Sequence, residues 1–111
     1  MSVSLIISNP VNRREENFNV PISTEKVFQE YWMPIIDELD LKWARCFQSG
    51  IEIEKEDLEF VLKDLIDIQE WLVKNMNNER GTQMTDRLQN LCQELIGVFN
   101  NSRSDIKAYI G

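Results

Sequence analysis

The stretch Gly50–Trp71, GIEIEKEDLEFVLKDLIDIQEW, changes hydrophobic period partway along, and that change decides the fold. Ile51 and Ile53 alternate with acids as strand residues do. From Leu58 onward, Leu58, Val61, Leu62, Leu65, Ile66, Ile68, Leu72, Val73 and Met76 recur at helical spacing. This predicts a core helix over about Lys55 to Met76 with an apolar stripe on the order of 160° wide. Glu54, Glu56 and Asp57 crowd its first turn, where the positive end of the helix dipole favours negative charge. Two aromatics, Phe60 and Trp71, stand off the stripe.

Upstream, LKWARCFQSGIEI reads as a central hairpin: Leu41, Trp43 and Phe47 alternate with Lys42 and Ala44, and Gln48-Ser49-Gly50 supplies turn chemistry. An irregular connection carrying one short strand is the alternative. A first helix is expected from Ser23, whose hydroxyl suits an N-cap, with Ile22 and Val27 as a hydrophobic staple, to about Asp40. Val27, Phe28, Tyr31, Trp32, Ile35, Ile36 and Leu39 share one face. Pro34 cannot donate to the carbonyl of Glu30, so a kink or break is expected between Glu30 and Met33. Before it, Val3, Leu5 and Ile7 alternate as in a half-buried strand that Pro10 ends; residues 8–20 read as a mobile loop or an edge strand.

Downstream, NNERGTQ breaks the pattern, and Thr82 or Thr85 can cap a third helix. Its inner face holds Met84, Leu88, Leu91, Cys92, Leu95, Ile96, Val98 and Phe99, with Gly97 expected to permit close packing. NNSRSD ends it, and IKAYI alternates as a last strand. The chain therefore reads as one α+β domain over residues 1–111. Three helices, the first kinked near Pro34, pack on a small, largely antiparallel sheet made from the N-terminal strand, the central hairpin and the C-terminal strand, with the first and last strands adjacent.

The 111 residues carry a formal net charge of -7 and no histidine. Without histidine the commonest general base, most nucleophilic triads and the usual zinc sites are missing. Neither acidic cluster, Asp37–Asp40 nor Glu52–Asp57, has the ligand order of a calcium loop, and the glycines form no phosphate cradle. No cofactor, metal or catalytic residue is expected. Cys46 and Cys92 are too far apart in sequence for a paired metal or redox motif and read as buried free thiols. The N-terminal apolar run follows no basic leader and is too short to span a membrane, which points to the cytoplasm.

The negative charge is concentrated. From Ser23 to Met76 there are 13 Asp or Glu against 6 Lys or Arg, which disfavours direct contact with nucleic acid and favours a basic protein partner. On the second helix Phe60, Asp64, Asp67 and Trp71 line up along one side. With Glu52, Glu54, Glu56 and Asp57 they form the candidate partner-binding set, aromatic anchors among acids; coverage by another element of the same chain is the alternative for the aromatics. The function expected is a non-enzymatic acidic protein-binding domain, of the kind that serves as an immunity or inhibitor protein against a basic toxin or nuclease. A homo-oligomeric structural or adaptor module, such as a homodimer, is the second reading. A small carboxylate-dependent enzyme is the third.

Overall fold

The period-two pattern of Val3, Leu5 and Ile7 puts these side chains on one face of β1 (Ser2–Ile7), where all three are buried. In the computed structural model, which describes residues 2–100 and 103–111, β1 pairs antiparallel with β2 (Asn19–Thr24) and with β4 (Ala108–Ile110). The short β3 (Ile51–Ile53) pairs antiparallel with β4, giving the order β2-β1-β4-β3. The register aligns Val20, Leu5, Ile110 and Ile51 in one row and Ile7, Ala108 and Ile53 in the next. These rows carry the sheet's share of the core. The row on the opposite face, Asn19, Ile6, Tyr109 and Glu52, is exposed or half-buried. The fold is α+β, and the first and last strands lie side by side as expected.

Of residues 8–20 only Asn19 and Val20 belong to the edge strand β2. The rest of the segment holds a short helix, α1 (Arg13–Glu16), and leads into β2. This segment is tied down: Arg103 Nη2 donates to Glu15 Oε1 at 2.9 Å and to the Asn9 carbonyl. The outer edge of β2 is blunted, because Pro21 has no N–H and its carbonyl accepts from Arg87 Nη1 at 3.2 Å.

The kink predicted at Glu30–Met33 is a widened turn. Thr24, rather than Ser23, caps the helix start, its hydroxyl accepting from the Val27 N–H at 3.2 Å. The helix runs through α2 (Glu25–Val27), a π turn (Phe28–Trp32) and α3 (Met33–Leu39). Pro34 falls in the first turn of α3, where a missing N–H is tolerated, and the Met33 N–H reaches back to the Phe28 carbonyl. The widened turn keeps Phe28 and Trp32 both buried and stacked, ring centroids 5.7 Å apart. Asp40, with φ 53°, ends α3 in the left-handed region, and the Leu41 N–H donates to the Ile36 carbonyl.

The expected central hairpin does not form. Leu41, Ala44 and Phe47 are the buried residues, and their spacing of three suits the 3-10 turn at Ala44–Cys46. Only Ile51–Ile53 joins the sheet. Gly50 turns the chain into β3 with φ 107°, packed so closely on Tyr109 that a Cβ would lie 1.9 Å from its hydroxyl.

After a 3-10 turn (Lys55–Asp57), α4 (Leu58–Asn75) and α5 (Glu79–Asn100) form an antiparallel pair. The start of α5 precedes the expected Thr82 or Thr85 cap: Asn78 Oδ1 accepts from the Gly81 N–H at 2.9 Å. Asn101 and Ser102, part of the predicted terminator, lie outside the described residues. Val61, Leu65, Ile68 and Leu72 of α4 are buried, as are Met84, Leu88, Leu91, Leu95, Val98 and Phe99 of α5. Other members of the predicted inner faces are not. Ile66, Val73 and Ile96 are exposed, while Leu58, Leu62, Met76 and Cys92 are half-buried. Cys46 is half-buried as well, and both thiols are free.

Gly97 is not seen to mediate close packing: among the described residues, nothing beyond its chain neighbours and its own helix backbone lies within 4 Å of where its Cβ would sit. It lines an open cleft with Ile7, Val11, Phe18 and Val98. An alanine there gains helix propensity at no steric cost, so Gly97→Ala is expected to raise the unfolding free energy by about 1 kcal/mol in a urea titration.

Candidate partner-binding surface

The strand-to-helix corner assembles the acids. Glu52 and Glu54 leave the end of β3 on either side of Ile53, and Glu56 and Asp57 enter the 3-10 turn that opens α4. The Asp57 carboxylate accepts from the Glu54 N–H at 3.0 Å, a contact that satisfies a donor at the helix start. Lys107, next to β4, reaches both Glu52 (3.5 Å) and Glu54 (3.6 Å). These two carboxylates raise the Lys107 ammonium above its ordinary value. Glu56 and Glu59 are exposed and have no ion pair among the described residues.

Glu54 and Glu56 are near enough to interact directly. A hydrogen bond and repulsion between the two carboxylates raise the Glu54 carboxyl above its ordinary value, against the opposing pull of Lys107. Its own backbone N–H, and then Glu54, hold Glu56 below that value. Both groups stand at the surface, Glu56 on the rim of the groove beside Phe60.

Of the predicted aromatic and acidic line, the structure brings Phe60 and Asp67 to the surface and turns Asp64 inward. Phe60 is 55% exposed and borders a shallow groove of about 720 Å³ with Leu58, Leu62, Ile66 and Phe99, rimmed by Glu56, Glu59, Lys55 and Lys63. Asp67 pairs with Lys63 at 3.6 Å. Trp71 is half-buried against the core, and its indole N–H donates to the Glu38 carboxylate. It is therefore held by its own chain, as is Trp43, which also packs on the core. Asp64 is only 9% exposed; its Oδ2 accepts from the backbone N–H groups of Trp43 (3.0 Å) and Ala44 (3.1 Å). In the sequence Asp64 sits at the edge of the apolar stripe, about 40° around the wheel from Ile68, a position that leaves its facing open until the neighbouring turn is placed.

Elsewhere the acids are partly neutralised. Arg45 serves Asp37 (3.6 Å) and Asp40 (3.1 Å), and Arg103 serves Glu15 (2.9 Å) and Asp105 (2.8 Å). These two carboxylates raise the Arg103 guanidinium, which in return lowers Asp105. Burial pushes the Cys92 thiol up, away from the reactive thiolate form. Among the described residues no group of three His, Cys, Asp or Glu side chains is placed to hold a metal ion, and no helix is long and apolar enough to cross a membrane. No family model, curated protein or solved structure matches the chain.

Two outcomes are expected. Replacing Asp64 by alanine strands the buried Ala44 N–H and the part-buried Trp43 N–H, and the loss in chemical denaturation should be about 2–4 kcal/mol. The second concerns pH. A raised carboxyl value means that the folded state holds the Glu54 proton more tightly, so its contribution is fully present below the ordinary value of 4.5 and is lost as pH rises through the raised one. At pH 7 Glu54→Gln should therefore melt higher than the wild type, and the gap should narrow as pH falls towards 4.5.

Proposed function

We propose that this is a non-enzymatic protein-binding domain that docks a basic protein through the corner formed by Glu52, Glu54, Glu56 and Asp57, with Phe60 as its aromatic anchor. The observation that carries this reading is the exposure of Phe60 beside the carboxylates of Glu56 and Glu59, which have no ion pair among the described residues. A large exposed ring among acids suits an interface in which aromatic area is desolvated while charge steers the approach of a cation-rich surface. Asp67 extends this surface along α4. Asp64 and Trp71 serve it from beneath, Asp64 by pinning the turn at Ala44–Cys46 and Trp71 through its bond to Glu38. In the sharper form of this reading the partner is a basic toxin or nuclease, and docking blocks its active site.

The test is a photo-crosslinking residue placed at position 60 in the cell of origin. The expected product is a covalent adduct with a basic protein. Charge reversal at Glu52 and Glu56 (Glu52→Lys with Glu56→Lys) should reduce affinity for that protein by at least about tenfold at low salt, mainly through slower association. An adduct that persists undiminished in the charge-reversed protein would remove the acids from the interface. The inhibitor form further requires that the captured protein lose its activity on binding.

A further inference from the structure

We propose that the outer face of α4 docks a second copy of this chain, antiparallel, about a two-fold axis passing between Ile66 and Asp67. The apolar stripe of α4 is wider than its own fold covers. Val61, Leu65, Ile68 and Leu72 are buried, but Ile66 is 50% and Val73 69% exposed. They lie one heptad apart on the same line, with half-buried Leu62 and Gln69 beside them.

The charges flanking that line name the occupant. Glu59, Lys63, Glu70 and Lys74 are all exposed and fall within a sector of about 60° around the helix. Residues 59 and 74, like residues 63 and 70, are placed symmetrically about the midpoint between 66 and 67. An antiparallel copy therefore sets Glu59 against Lys74 of the partner subunit and Lys63 against Glu70 of the partner subunit, each contact repeated by the two-fold symmetry. A parallel copy would set this charged flank against the partner's opposite flank, which carries Leu62 and Gln69, and would leave the four charges without opposite partners. The pattern is self-complementary in one orientation only, as a two-fold interface requires. In the monomer Lys63 is loosely held by Asp67 at 3.6 Å and remains 75% exposed, so it can turn to a partner.

Pairing along the outer edge of β2, the longer of the two edge strands, is obstructed by Pro21 and by the Arg87 bond to its carbonyl. The self-docking face spans about 22 Å along the helix. One helix face buries less than the roughly 800 Å² per partner of a standard interface, so a weak, concentration-dependent dimer is expected. Phe60 lies about 120–140° around the helix from Ile66 and Val73 and stays off this contact. The acidic corner of each subunit remains open, one near each end of the dimer. The self-docking face shares Glu59, Leu62, Lys63 and Ile66 with the groove beside Phe60 but uses neither Glu52 nor Glu56, so Glu52→Lys with Glu56→Lys should weaken docking of a basic protein and leave the homodimer intact.

Sedimentation equilibrium over about 5–500 µM protein at low salt tests it. The wild type should fit a monomer–dimer equilibrium. Lys63→Glu should weaken it by at least about tenfold, and adding Glu70→Lys to that variant should restore it, because the swap rebuilds the opposite-charge contact across the axis. Circular dichroism establishes that each variant is folded. If a charge variant loses helix, Val73→Arg replaces it and should leave a monomer. A wild type that is monomeric throughout, a dimer indifferent to Lys63→Glu or Val73→Arg, or a folded double variant that stays monomeric would each overturn the proposal.

Discussion

Asp64 carries its carboxylate from α4 into the interior, where it accepts from the N–H groups of Trp43 and Ala44. Burying an anion costs several kcal/mol unless hydrogen bonds compensate it, and two backbone donors at an otherwise uncapped 3-10 turn do so. The contact joins the middle of the chain to its central helix. With the turn at Ala44–Cys46 held there, Leu41, Ala44 and Phe47 point into the core, and the chain leaves through Gly50 in position to pair β3 with β4. The acidic corner, which follows β3 directly, takes its place from that pairing.

The remaining architecture follows from the two buried rows of the sheet and from the α4–α5 pair that packs with them in one core. α3 and the Ala44–Cys46 turn pack against α4 from a further side. Phe99 of α5 borders the groove beside Ile66, but Ile66 and Val73 themselves stay 50% and 69% exposed. The helix is thus amphipathic in three sectors: a buried one, a charged one and an apolar strip between them that its own chain leaves in solvent. Isolated exposed hydrophobics are ordinary on protein surfaces. Here the strip runs beside alternating opposite charges, and that combination is what gives it meaning.

The surface charge is less uniform than a net value of -7 implies. Arg45, Arg103 and Lys107 each draw two carboxylates to themselves, which gathers local negative potential into mixed networks. Surface networks of this kind contribute little stability pair by pair. They matter more for what they leave over. At the start of α4 Glu56 and Glu59 remain outside them next to an exposed aromatic ring, and the proposed docking of a basic protein starts from that residue of unbalanced charge.

Period and turn chemistry in the sequence alone determined the three main helices, the N-terminal and C-terminal strands, the disruption before Pro34 and most inward-facing residues, because each follows from the backbone geometry of a few neighbouring residues. The interval Leu41–Phe47 misled for the same local reason: a three-residue spacing of Leu41, Ala44 and Phe47 sits among alternating residues, and only the long-range bond from Asp64 decides between the two periods. The candidate site divides likewise. Its acids and Phe60 were legible as residues off the apolar stripe, but whether each faced water was not, since that depends on what packs alongside. Only tertiary structure turned Asp64 inward, tied Trp71 to Glu38, opened the space over Gly97 and left Ile66 and Val73 uncovered. A helix's pattern defines which residues share a side; the neighbours that the fold brings to it, from far along the chain, define which sides are covered.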